Sequence, residues 1–290
     1  MRAALKKHRS LHAGEKEILA AALRRAAAAT GAGAGENGGG GKNAAPLRAN
    51  VVANVTVVAP RQFVAAWKSL GVDVAVDNTF ASPYLQQPLT LGADLVVHST
   101  TKYIGGHSDV VGGAVLTSDA DWAEHLQFQI KAVGAAPAPL DCFLLLRSTK
   151  TLHLRMERHC ENAIKVADRL NGHPAIEKVI FPSLMSGEAR RRADANLKGG
   201  YGSLMGIVLK GGAEAGAKFI DKLEMFYHVA NIGDARSLAI HPATTTHSQL
   251  SAEEQAATGV TPGYVRLSIG IEHVDDIIAD ITQALDKAVA

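Results

Sequence analysis

The sequence predicts an α/β fold in two parts: a three-layer α/β domain over residues 61–149 and a smaller α+β C-terminal domain over 150–290. Three patterns predict it. Val72, Val74 and Val76 alternate at period two and end in Asp77, as a half-buried strand does. From about residue 60, helical and strand patterns alternate, the rhythm of a parallel sheet with crossover helices. Near the C-terminus, Tyr264 to Glu272 alternates cleanly and is followed by Ile277, Ile278, Ile281 and Leu285 at helical spacing.

The elements follow in order. Residues 1–30 are rich in Ala, Leu, Lys, Arg and Glu, all good helix formers. Residues 31–45, with four consecutive glycines at Gly38–Gly41, have the composition of a flexible linker. Val51 to Ala59 is β-branched and predicts a strand. Gln62 to Leu70 predicts a helix, and Val110 to Leu116 a strand. After Pro139 a single long helix is expected from Leu140 to Leu170, closed by the cap signal Asn171-Gly172. Leu144, Leu145, Leu152, Met156, Ile164 and Ala167 would form its apolar side. Ile176–Phe181 predicts a strand, Ser186–Lys198 a charged helix, Leu204–Leu209 a strand and Ala213–Leu223 a helix. In Tyr264–Glu272 the apolar face is Val265, Leu267, Ile269 and Ile271, expected to pack on a helix over Val274–Val289. Arg266 then lies on the polar face, where its planar fork suits a carboxylate or stands solvated.

The chemistry concentrates at two strand ends. One carries Asp77. The other rises through Leu95, Val96 and Val97 and then presents Ser99, Thr101 and Lys102. Ligands of open α/β sheets bind beyond the carboxyl ends of strands. An amine, an acid and two hydroxyls suit a phosphorylated pyridine aldehyde. By residue type alone, a solvated lysine and a strand-end Asp acting as a cap stay open.

Asp77-Asn-Thr-Phe-Ala-Ser-Pro-Tyr-Leu and His98-Ser-Thr-Thr-Lys-Tyr-Ile-Gly-Gly-His resemble the signature of the Cys/Met-metabolism family of pyridoxal-phosphate enzymes. So do Asn231-Ile-Gly-Asp-Ala-Arg-Ser-Leu-Ala-Ile-His-Pro and Val265-Arg-Leu-Ser-Ile-Gly-Ile-Glu. The resemblance covers about residues 71–290. It implies a fold-type I transferase with pyridoxal 5'-phosphate (PLP) as cofactor. Lys102 would be the Schiff-base lysine and Asp77 the pyridinium partner, Ser99 and Thr101 would hold the phosphate, and Thr79 would also lie at the cofactor. Asn231 and Arg266 would bind substrate, Arg266 through its α-carboxylate. The implied activity is transsulfuration at the γ-carbon of O-acetylhomoserine or cystathionine, by replacement or elimination, in methionine and cysteine metabolism. The implied partners are a small amino acid, a thiol or sulfide, and further copies of the chain in a dimer or tetramer.

The first 60 residues do not share the resemblance. No glycine-containing phosphate loop, stacking aromatic residue or Tyr-x-Arg precedes residue 71, so the chain reads as lacking the usual N-terminal region. The alternative to an enzyme is accordingly an impaired homologue that only binds or oligomerises.

Other classes find little support. Net charge is +2, which selects no partner, and neither a nucleic acid nor a membrane is expected. The first fifty residues carry 9 Lys and Arg against 3 Asp and Glu, the remainder 21 against 25. This basic arm admits a targeting or interaction role, but Glu15 and Glu17 interrupt it. No stretch reaches the roughly eighteen apolar residues of a membrane span. Two cysteines, Cys142 and Cys160, make no disulfide framework, and the chain reads as cytoplasmic. Gly33-x-Gly35-x-x-Gly38 matches a dinucleotide fingerprint in letters only, because no strand precedes it. Glu36 and Asn43 break a P-loop pattern around Lys42. No Gly-x-Ser-x-Gly elbow occurs. His153 and Glu157 share a helical face, and His241 and His247 share a loop. Neither pair has the third ligand a metal site needs, so no metal is expected.

Overall fold

A computed structural model describes residues 51–53, 60–69 and 71–288. The helix and linker expected over 1–45 lie outside the described residues, as do most of Val51–Ala59, Leu70 and the last residue of the C-terminal helix. The chain divides into two compact units. One takes the described residues up to Asp77 together with Gln87–Val97 and Val115–Ala132. The other takes Asn78–Gln86, His98–Ala114 and everything from Val133 onward.

The first sheet has the order β1 (Val51–Ala53), β2 (Val74–Asp77), β3 (Leu95–Ser99), β4 (Gly113–Leu116). Strands β1 and β2 pair in parallel, as do β2 and β3, with Asp77 opposite Val97. Helix α1 (Pro60–Lys68) buries Val64, Ala66 and Trp67 in the same unit as Val74, Val76 and Val96. The turn into β2 is pinned by Asp94, which accepts from the Val74 amide at 2.8 Å and pairs with Lys68. The strand predicted from Val72 therefore begins at Val74. The one predicted from Val110 begins at Gly113, because the carbonyl of Gly112 is taken by the Thr100 amide at 2.9 Å.

After the short helix α2 (Ser82–Leu85) comes α3 (Ala120–Val133), which the sequence patterns missed. It buries no residue and so carries no apolar stripe to detect. Its start is set by Asp119, whose carboxylate accepts from the Trp122 amide at 2.9 Å.

The single helix expected from Leu140 to Leu170 is two: α4 (Pro139–Thr149) and α5 (Leu152–Leu170). Neither Pro nor Gly marks the break. The carbonyl of Ser148 instead accepts from the Thr151 amide, the Thr151 hydroxyl and the Arg155 guanidinium, at 3.0 to 3.2 Å. A side chain seven residues ahead thus helps to end the first helix. Leu144 and Leu145 on α4 are only half-buried, while Leu152, Met156, Cys160, Ala163, Val166, Ala167 and Leu170 form the buried face of α5. The helix stops where Gly172 adopts φ 83°, the left-handed conformation glycine takes without penalty.

The second sheet has five strands in the order β5 (Ile176–Ile180), β6 (Leu204–Leu209), β9 (Tyr264–Ser268), β8 (Leu238–Ile240), β7 (Tyr227–His228). The pairs β5/β6, β6/β9 and β8/β9 are antiparallel and β7/β8 is parallel. Strand β9 ends at Ser268 rather than at Glu272. Beyond it the Gly270 amide goes to the Ser237 hydroxyl and the Ile271 amide to the Ala235 carbonyl, so no partner strand is left for them. The short β7 and β8 had no alternation to betray them; all of β8 is buried. Helices α6 (Gly187–Asn196) and α7 (Gly212–Lys222) fall where predicted, and α8 (Ala252–Ala257) is short. Helix α9 (Val274–Ala288) packs on α7 and α5. Val265, Leu267 and Ile269 share one core with Phe219, Ile277, Ile281 and Leu285, and the helix standing directly on β9 is α7.

Asp280 on α9 ties the end of α7 into this core. Its carboxylate accepts from the amides of Glu224 at 2.8 Å, Met225 at 2.9 Å and Phe226 at 3.2 Å. Asp280→Asn turns one acceptor into a donor facing those amides. A loss of about 2 kcal/mol is expected in urea unfolding, and unchanged stability would rule the carboxylate out as the clamp. Among the described residues, no helix is long and apolar enough to cross a membrane.

Candidate active site

Strand β3 runs into a π-type turn, Thr100–Ile104. Such turns bulge the backbone and are frequent at functional sites. Lys102 sits inside it with φ −89° and ψ −132°, outside the helical region. The turn is held from several directions. The Ser99 amide donates to the Thr79 hydroxyl at 2.8 Å. The Thr101 hydroxyl accepts from the Gly112 amide at 3.0 Å. Gly106, at φ 72°, lets the chain leave the turn beside Arg155; a Cβ there would lie 2.2 Å from the guanidinium.

The Lys102 amine donates to the side-chain oxygen of Asn231. The backbone carbonyl of Asn231 accepts from Arg266 on β9 at 3.3 Å. These three sequence-predicted residues, separated by up to 164 positions, therefore meet around one loop in one unit. Gly233 makes the approach possible: a Cβ there would stand 2.7 Å from the Tyr103 amide. Burial, and then the Arg266 guanidinium, hold the Lys102 ammonium below its ordinary pKa. Burial also pushes Arg266 down.

The other predicted residues are placed differently. Thr79 and Ser99 are joined through the Ser99 amide, and the Ser99 hydroxyl makes no hydrogen bond among the described residues. The Thr101 hydroxyl faces the Gly112 backbone. Asp77 ends β2 in the other unit, in register with Val97, two residues before Ser99. His153 and Glu157 stand exposed on α5. His241 is buried and shapes its loop, with Nε2 2.7 Å from the Pro262 carbonyl and Nδ1 3.0 Å from the Thr244 hydroxyl.

Sequence reasoning missed the residues behind the lysine. Arg155 donates to the carbonyls of Tyr103 at 2.7 Å and Ile104 at 3.2 Å. His159, fully buried, lies edge-on to the Tyr103 ring at 5.4 Å and bonds the Ile269 carbonyl at 2.7 Å. Asn162 donates to the carbonyls of Gly270 and Glu272 at 3.1 and 2.9 Å. Their spacing, four and then three residues, places all three on one face of α5. That polar stripe along the buried face of α5 was the available signal; His153 and Glu157 lie on its exposed face. Tyr103 itself is buried and hydrogen-bonded to Ser203 at 2.8 Å; burial pushes its pKa up to about 12.

The donor set fits pyridoxal phosphate. An amine kept below its usual pKa is suited to condense with an aldehyde, the Ser99 hydroxyl, which makes no hydrogen bond among the described residues, stands three residues before it, and a guanidinium lies alongside.

Comparison with known proteins agrees. Residues 49–286 match the Cys/Met metabolism PLP-dependent enzyme family. The match begins ahead of the motifs and so reaches into the segment that they left outside. A cystathionine gamma-lyase of Dictyostelium discoideum is 44% identical, over 76% of this chain and 56% of its own. An O-acetyl-L-homoserine sulfhydrylase of Leptospira meyeri is 42% identical, over 75% of this chain and 58% of its own. The crystal structure of cystathionine gamma synthase from Xanthomonas oryzae pv. oryzae in complex with cystathionine superposes with a TM-score of 0.79 and 41% identity, over 83% of this chain and 63% of that one. The chain thus spans a little over half the length of the relatives it matches in sequence. With its fold, its lysine-bearing turn and its family match in agreement, this chain belongs to the Cys/Met metabolism PLP-dependent enzymes and has their fold-type I α/β architecture.

Proposed function

We propose that the chain catalyses PLP-dependent transsulfuration at the γ-carbon of a homoserine-derived amino acid, O-acetylhomoserine or cystathionine, by replacement or elimination with a thiol or sulfide. The observation that carries this reading is the meeting of Lys102, Asn231 and Arg266 around one turn. When bound, the cofactor supplies an electron sink that makes the bonds at the substrate α-carbon labile.

The rest falls to the chain. Lys102 would hold the cofactor through its amine and would move protons at the substrate as a general base; its lowered pKa favours the neutral form that both tasks need. Asp77, by the family resemblance, would hold the cofactor at its pyridine nitrogen. Ser99, with Thr79 and Thr101 shaping its loop, bonds the phosphate. Arg266 grips the substrate carboxylate with its fork and Asn231 contacts the substrate beside it. We read the setting as cytoplasmic methionine and cysteine metabolism. A homo-oligomer is supported by the exposed apolar residues of α4: Leu140, Phe143 and Leu146 are each at least 60% exposed.

The test is to add pyridoxal phosphate, follow absorbance at the violet edge of the visible range, reduce with borohydride and map the modified peptide. The expected result is modification at Lys102 and loss of both signals in Lys102→Ala. Undiminished absorbance and labelling in that variant would remove Lys102 from the role. Formation of homocysteine, with release of acetate, from O-acetylhomoserine and sulfide would then distinguish a sulfhydrylase from a lyase of cystathionine.

A further inference from the structure

We infer that Asp234 and Ser108 are positioning residues for Lys102: together they orient the amide of Asn231 so that its oxygen, not its nitrogen, faces the amine. The inference rests on the reading of Lys102 as the reactive amine, but its test does not use the cofactor.

Four groups form a chain within one unit. Lys102 donates to Asn231 Oδ1. Asn231 Nδ2 donates to the Ser108 hydroxyl at 3.1 Å. That hydroxyl donates to Asp234 Oδ2. The direction follows from the chemistry of the two ends. An ammonium only donates and a carboxylate only accepts, so the amide and hydroxyl between them must line up head to tail. An asparagine amide alone has no preference between its two faces, which are nearly isosteric. Here the carboxylate, two groups away, breaks the tie.

Asp234 is built to do this. It is 2% exposed, and its other oxygen accepts from the Arg236 amide at 2.8 Å. The Arg236 guanidinium lies 3.5 Å from that same oxygen and 4.2 Å above the Tyr227 ring. The carboxylate is thereby fixed, with Oδ2 left to Ser108. Ser108 is held at φ 54°, one of two non-glycine residues with positive φ among those described. Serine is not favoured there, and glycine would be easier. The hydroxyl supplies the reason for a serine. The backbone of Asn231 is separately occupied, its carbonyl by Arg266. The loop thus assigns its main chain to the guanidinium and its side chain to the amine.

An acceptor facing an amine favours the ammonium, and a donor facing it disfavours it. Arg266 is the charged neighbour whose field already lowers Lys102. Loss of the relay lets Asn231 turn its NH2 toward the amine, and the titration midpoint of Lys102 falls further. The test is reductive methylation of the full chain with isotope-labelled formaldehyde and NMR titration of the Lys102 signal, assigned with Lys102→Arg. Ser108→Ala and Asp234→Asn are each expected to lower the midpoint by about half a unit to one unit. The double variant should go no lower than the larger single effect, and neither change should matter once Asn231→Ala has removed the amide. A side chain that merely supported the fold would not show this dependence on Asn231. Unchanged midpoints in the single variants, or strictly additive shifts, would overturn the inference. Where Asp234→Asn gives no cooperative unfolding transition, Ser108→Ala in the presence and absence of Asn231 decides by the same criterion, since Ser108 is exposed. A failure of cofactor labelling at Lys102 with the midpoint shifts intact would sink the functional reading and leave the relay standing.

Discussion

Replacing Arg155 by methionine is expected to destabilise the larger unit by about 3–5 kcal/mol, because three carbonyls lose a charged donor at about 1–3 kcal/mol each. The side chain is 5% exposed and its hydrogen-bond partners among the described residues include no carboxylate. Its charge is held by dipoles: the carbonyls of Tyr103, Ile104 and Ser148 and the hydroxyl of Thr151 at 3.1 Å. Burial lowers its pKa, the cost of keeping the charge there. Methionine fills much of the same volume but offers no donor, so three backbone carbonyls lose a partner. The consequence reaches the site, because two of those carbonyls belong to the turn that carries Lys102. Amide exchange over residues 100–108 should accelerate along with the drop in urea stability. A loss under about 1 kcal/mol, the worth of one ordinary hydrogen bond, would show that water replaces the guanidinium freely.

Acidification is expected to cost about 3 kcal/mol through His159 alone. Burial holds this imidazole neutral, with its pKa pushed down to about 4 from 6.5. The sign follows from proton counts. Between these values the unfolded chain binds a proton that the folded chain refuses. The contribution is therefore held in full above about pH 6.5, declines as pH falls through that value, and is gone near pH 4. The 2.5-unit gap at 1.36 kcal/mol per unit sets the size. The check is urea unfolding at pH 7 and pH 4, with and without His159→Gln. The wild type should lose about 3 kcal/mol more than the variant over that interval. Equal losses would mean that the buried imidazole titrates normally. Since the Tyr103 ring rests on His159, the acid transition should loosen the turn of Lys102 before the distant core around Phe219.

How much of this was legible depended on distance along the chain. The C-terminal strand and helix were readable because each carries its own period: Val265 and Leu267 at two, Ile277, Ile281 and Leu285 at four, all fully buried. Helix α3 was not readable, because a helix that buries nothing in its own chain has no stripe to show. The break between α4 and α5 was not readable either. Nothing at residues 149–151 forbids a continuous helix; the carbonyl of Ser148 is diverted by an arginine that also binds carbonyls some fifty positions earlier.

The same division holds at the site. Local sequence was enough to place Asp77 and the Ser99–Lys102 segment at strand ends, because alternation stops and polar residues begin within a few positions. The motifs were enough to name the family. Tertiary structure alone decided which distant groups meet the lysine, and in which orientation. Asn231, Ser108 and Asp234 have no periodicity in common, and the direction of their hydrogen bonds comes from an ammonium and a carboxylate brought to opposite ends of one chain. Spacing records what neighbours along the backbone must do. Closure of long loops chooses the partners across it, and that choice leaves no local trace.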